Sequence, residues 1–80
     1  MPSLDELDSG AVASVATVGG ERSFRRRLME MGFLPGTQVR VVRRVEVGGL
    51  LEIEVRRSRV TVRRAEAREL HVVAHPAAGA

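Results

Sequence analysis

Eighty residues allow one domain with one modest core, because a chain of this size buries only about two thirds of its unfolded surface, and an elaborate active-site cleft does not fit. The absence of cysteine excludes disulfides, thiolate metal sites and thiol redox chemistry. All 13 basic residues are arginine and they outnumber 10 acids, a net charge of +3 that suits an acidic partner surface, though genome composition alone explains an arginine preference equally well. Apolar runs of a few residues fall far short of the roughly 20 needed to cross a bilayer, and no charged-then-apolar leader opens the chain. A soluble cytoplasmic protein without direct membrane insertion is expected.

Ser3 and Glu6 have the spacing of a capping box, which predicts a helical turn over Leu4 to Leu7, closed by Gly10, with its leucines plugging one end of the fold. Ala11 to Val18, rich in small and β-branched residues, reads as a strand ending at Gly19-Gly20. Phe24, Leu28 and Met31 then recur at helical spacing, so a short helix carries an apolar face while Arg25, Arg26 and Glu30 point elsewhere. Gly32, directly after the last periodic residue, suits a left-handed C-cap, and Phe33 can fold back onto the last turn. Pro35-Gly36 has the order of a type II turn.

Thr37 to Val47 reads as a long strand with Val39, Val41 and Val45 on one face, Gly48-Gly49 as a hairpin turn, and Leu51 to Arg56 as the return strand. Leu51, Ile53 and Val55 take its inner face; Glu52, Glu54 and Arg56 take the other as a salt-bridge ladder. A short turn near Arg57-Ser58 leads to a strand over Arg59 to Arg63, then a helical turn over Ala65 to Glu69 and a last strand over Leu70 to Ala74. Residues 75–80 have too little apolar bulk to be held down, so residues 1–74 form the single domain and a flexible tail follows. Five short strands with one inserted helix predict a mainly β fold, a small antiparallel barrel that hides its edges by curling.

The stretch from Arg25 to Val41 resembles the FeoA family, the small protein of bacterial ferrous iron transport. The matching residues are Arg27, Leu28, Met31, Gly32, Phe33, Pro35, Gly36 and Val39. Leu4, Leu7 and Gly10 resemble the family's opening, Ala13, Val15 and Val18 its first strand, and Val55, Val60, Arg63, Glu66, Ala67 and Val72 its late strands and E-A pair. The likeness covers about residues 3 to 73. Departures lie at Val47-Gly48-Gly49-Leu50, where the family often carries prolines, and near Ser58, where it often carries glycine; both concern loop shape. The resemblance implies an SH3-like barrel, a regulatory or assembling role in iron uptake, and as partner the cytoplasmic part of the FeoB-type ferrous iron transporter, which would hold this protein at the inner face of the membrane. Arg27, Leu28, Met31, Gly32, Pro35 and Gly36 are read as structural, with Arg27 pairing with a carboxylate or capping a strand carbonyl.

Other constellations carry less. His71 and His75 on a strand stand about 13 Å apart and cannot share an ion. Glu69 and His71 lack a third ligand, and Met29 and Met31 suit cuprous copper rather than ferrous iron, so no metal or cofactor is expected. The arginines of the Arg25-Arg26-Arg27 run fan over about 200° of a helix and cannot form one patch together. Arg56, Arg57, Arg59, Arg63 and Arg64 make a second basic cluster, offset in part by Glu52 and Glu54. With two Phe, no Tyr and no Trp, and Phe24 assigned to the core, stacking platforms for nucleic acid are lacking, as is the aromatic groove that binds proline-rich peptides. No serine has an activating partner and no phosphate loop is present, so the chain is not read as an enzyme.

The expected partner-binding surface is the helix and following turn, Arg25, Arg26, Met29, Phe33 and Leu34, with the hairpin tip at Val47 and Leu50 second. The alternative is a module of iron-dependent transcriptional regulation or nucleic-acid binding through the arginine-rich strands. FeoA-like barrels also end iron-dependent repressors; here no DNA-binding domain precedes the barrel, so that role would need a partner chain. Self-association is the third reading.

Overall fold

The computed structural model describes residues 1–75, and the tail expected over 76–80 lies outside them. Among the described residues, β1 (Val12–Val18), β2 (Gln38–Val45), β3 (Leu50–Val55), β4 (Ser58–Arg63) and β5 (Leu70–Ala74) form one antiparallel sheet of order β4-β3-β2-β1-β5. Alternation decides what each strand buries: Ala13 and Val15 from β1, Val39 and Val41 from β2, Leu51, Ile53 and Val55 from β3 all lie in the core. The register slips between Val15 and Thr17 and between Val41 and Arg43, two bulges that sharpen strand twist and help the sheet curl.

Two short elements close one end. The 3₁₀ turn Leu4–Glu6 buries Leu4 completely, and the Glu6 carboxylate accepts the Ser3 N–H at 2.7 Å. Helix α2 (Arg64–Arg68) packs against that turn and buries Ala67. The longer helix, α1 (Arg22–Glu30), crosses between β1 and β2 and contributes Leu28 to the core.

Three expectations need correction. The β3–β4 turn is Arg56-Arg57, one residue earlier than Arg57-Ser58, because Val55 pairs with Ser58 across a two-residue hairpin. Both arginines take left-handed backbone, φ 50° and 72°, the conformation that this turn requires and that asparagine and glycine usually supply. The first hairpin has a four-residue turn, since Val45 pairs with Leu50. Val47 therefore stands in the loop, 87% exposed, while Leu50 begins β3 half-buried. His75, expected to start the loose tail, is fixed to β1: its N–H donates to the Val12 carbonyl at 2.8 Å and its Nε2 lies 2.7 Å from Ser14 Oγ.

Candidate docking surface

The end of α1 is built as its sequence predicts. Gly32 has φ +112°, its N–H donates to the Met29 carbonyl at 3.0 Å, and the Phe33 N–H donates to Leu28 at 3.2 Å. That pair of bonds is a Schellman cap, and Phe33 and Leu28, the two positions whose side chains usually meet in this motif, both lie in the core cluster. A side chain at position 32 would also meet Val55, whose Cγ1 would lie 3.1 Å from the added Cβ. The Leu34–Thr37 turn follows, with the Thr37 N–H donating to the Leu34 carbonyl at 2.9 Å and Gly36 at φ +89°.

The cap reverses the chain so sharply that it corrects one expected contact residue. Phe33 is fully buried and cannot touch a partner. Phe24, expected in the core, packs against it only half-buried, over Gly20, where an added Cβ would sit 2.7 Å from its ring. Met31 is half-buried against the core.

Four of the expected contact residues do come together. Arg25, Arg26, Met29 and Leu34 line one groove of about 500 Å³ on the outer face of α1, joined there by Arg22 and Glu30. Arg22 was missed, although the signal was available: residues 22, 25, 26 and 29 follow i, i+3, i+4, i+7 and share a helix face. Met29 and Arg25 also border a second depression with Val18 and Pro35. Val47 and Leu50 belong to the β2–β3 hairpin, at the opposite end of those strands from the Leu34–Thr37 turn.

The arginine run separates as helical geometry demands. Arg26 pairs with Glu30 one turn on at 3.5 Å, and Arg27 reaches Glu66, whose other oxygen accepts the Arg63 N–H at 2.8 Å. The structural reading of Arg27 thus finds its carboxylate in the buried acid of α2. On the sheet, Glu52 takes Arg43 at 2.9 Å and Arg59 at 3.6 Å, and Glu54 takes Arg40 at 3.1 Å. The expected ladder is therefore built across strands, and Arg56 is not one of its rungs.

A charge cluster the sequence reading missed centres on Asp5. Its carboxylate meets Arg44 at 3.0 Å, Arg64 at 3.3 Å and Arg68 at 3.4 Å, while Arg44 also donates to the Asp5 and Leu7 carbonyls. Burial pushes the Asp5 pKa up, but the hydrogen bonds and charges of Arg64 and Arg44 outweigh it and hold the group below its ordinary 3.8. Long sequence separation hides such a cluster. Glu69 and His71 converge over Gly19, and among the described residues no three His, Asp or Glu side chains gather as metal ligands. No described helix is long and apolar enough to cross a membrane.

A five-stranded antiparallel sheet with a capped helix inserted after its first strand defines a small SH3-like β-barrel. The FeoA domain family model matches residues 3–74. The chain belongs to the FeoA family. FeoA from Chlorobium tepidum is 35% identical over 98% of this chain and 72% of its own, with a TM-score of 0.79. Stenotrophomonas maltophilia FeoA, solved with zinc and described as a prokaryotic SH3 domain protein, is 34% identical over 91% of each chain, with a TM-score of 0.78. A manganese-dependent transcriptional repressor superposes with a TM-score of 0.86, but at 20% identity and over 41% of its length that likeness shows the fold alone. No curated protein matches the chain.

Proposed function

We propose that this protein is a cytosolic accessory of ferrous iron uptake that acts by binding the cytoplasmic domain of a FeoB-type transporter through the groove on α1. Membership of the FeoA family supports the role in ferrous iron transport. One observation carries the binding surface: Met29 and Leu34 floor a groove whose rim holds Arg22, Arg25 and Arg26. An apolar floor within a charged rim is the anatomy of a protein contact, and methionine adapts its shape to what it meets. A rigid barrel docked there shifts its partner between conformations to the extent that it binds one of them better.

On the arginine-rich sheet face that would serve nucleic acid, Arg40, Arg43 and Arg59 are held by Glu54 and Glu52, which lowers the free positive charge there. The aromatic supply is equally poor, with Phe33 buried. A titration of the protein against the purified cytosolic domain of the cognate transporter, with and without guanine nucleotide, tests the reading. Saturable binding that Met29→Asp or Leu34→Asp weakens supports it; absence of binding in every nucleotide state overturns it.

A further inference from the structure

Among the described residues, eight of the 13 arginines meet a carboxylate and Arg22, Arg25, Arg56, Arg57 and Arg63 do not. The distribution of these five is uneven. Arg22 and Arg25 line the α1 groove, whereas Arg56 and Arg57 line a separate groove of about 600 Å³ with Thr37, Gln38 and the Arg40–Glu54 ion pair, whose charges offset each other. Leu34, Pro35 and Gly36, three consecutive residues, each border a different depression: the α1 groove, the one beside Val18, and the Arg56-Arg57 groove. The three depressions therefore meet at one turn, and four of the five unpaired arginines surround it.

The Arg56-Arg57 turn adds an independent observation. Left-handed backbone is costly for an L-residue that carries a Cβ, and a two-residue hairpin is best closed by Asn-Gly. Two consecutive arginines at φ 50° and 72° sacrifice stability to hold two guanidinium groups at the groove's edge. Their free forks suit carboxylates, which they can grip in a bidentate manner.

We propose that the Arg56-Arg57 turn is the second half of the docking surface, and that the occupant is an extended acidic segment of a partner protein. One apolar side chain of that segment sits between Met29 and Leu34, and its carboxylates meet Arg22 and Arg25 on one side of the Leu34–Gly36 turn and Arg56 and Arg57 on the other. The proposal rests on the docking reading of the α1 groove and adds the chemistry of what binds. A protein segment fits better than a nucleic acid, because the floor is aliphatic and sulfur-bearing and offers no aromatic face for a base. Most of the attraction lies at the rim, so it speeds association and fades with salt.

The test compares the intact protein with three variants, Arg56→Glu/Arg57→Glu, Arg22→Glu/Arg25→Glu and Arg63→Glu. Arg63 is the unpaired arginine at the far end of β4. Two probes are used: the transporter's cytosolic domain, and a synthetic glutamate-rich peptide with a single leucine, read by amide chemical shifts. The expected result is a loss of at least tenfold in affinity for both glutamate double variants on both probes, less than twofold for Arg63→Glu, and shifts clustered at residues 34–38 and 56–57. If the transporter domain binds and the Arg56→Glu/Arg57→Glu variant binds equally well, the inference falls while the docking reading stands. If only the peptide binds, the inference stands and the transporter reading falls. Failure of the peptide to bind, or binding of duplex DNA or phosphatidylserine vesicles by these arginines in its place, overturns the acidic-segment proposal. Far-ultraviolet circular dichroism and a melting temperature confirm that each variant is folded.

Discussion

Two sets of arginines sit on this small barrel, and they differ in what faces them. Around Asp5 and along the outer face of β2, β3 and β4, each arginine that reaches an acid is part of a cross-strand or cross-element pair. Around the Leu34–Thr37 turn Arg22, Arg25, Arg56 and Arg57 line open grooves without meeting a carboxylate among the described residues. The first set links elements distant in sequence, as Arg44, Arg64 and Arg68 do when they tie β2 and α2 to the amino-terminal turn. The second set does little for the fold and, at Arg56 and Arg57, works against it. A single residue type therefore serves cohesion at one end and availability at the other, and only the position of the carboxylates tells the two apart.

The comparison is broken most severely if the capped turn contributes to binding rather than to the core. Phe33→Ala is expected to cost about 3–5 kcal/mol of stability. At about 4–8 °C per kcal/mol for a domain of this size, thermal unfolding reads this plainly. A Phe33→Ala protein that melts normally but no longer binds would place Phe33 back on the surface.

Asp5→Asn comes next, with a loss of about 1–3 kcal/mol, because three arginines lose a largely buried anionic partner. The pH dependence has a definite sign. A carboxyl with a folded-state pKa below its unfolded value stabilises the protein above the unfolded value and loses that contribution as pH falls through the folded one. Stability of the wild type should therefore decline below about pH 4, and Asp5→Asn should remove that part of the decline in denaturation curves taken at successive pH values.

Gly32→Val is expected to lower stability by about 1–2 kcal/mol from the left-handed backbone alone, with crowding against Val55 adding to it. An unchanged melting temperature would refute the cap. At the other end of the comparison, Arg56→Asn with Arg57→Gly should raise stability by about 1 kcal/mol while weakening binding, the opposite signs expected where strain is kept for function. The smallest effect belongs to the exposed ladder. Arg43→Ala should change stability by about 0.2–1 kcal/mol, and a much larger loss in chemical denaturation would show that the sheet face is more than a solvated ion-pair surface.

Much of the fold was legible because it follows from local rules. The β5 span agrees with the expected one, and the helix cap and the Leu34–Thr37 turn form where glycine and proline demanded them. The candidate surface was legible in part. Arg25, Arg26, Met29 and Leu34 meet as expected, whereas Phe33 is buried because the Schellman cap points it inward, and Val47 and Leu50 lie away from the groove. Arg56 and Arg57 were expected on a strand and at its exit, since nothing in their side chains announces a left-handed turn; the pairing of Val55 with Ser58 imposes it.

By itself the sequence determined the alternation of the strands, the helix face, its glycine stop and the resemblance that places the chain in its family, because each depends on neighbours a few residues apart. Only the tertiary structure decided which charges cancel. Asp5 meets Arg64 and Arg68, Glu66 meets Arg27, and Glu52 meets both Arg43 and Arg59 through pairings that strand order and register create. Charge compensation depends on distance in space and decays over a few ångströms, so the arginines left free for a partner could be identified only after the chain had been folded around them.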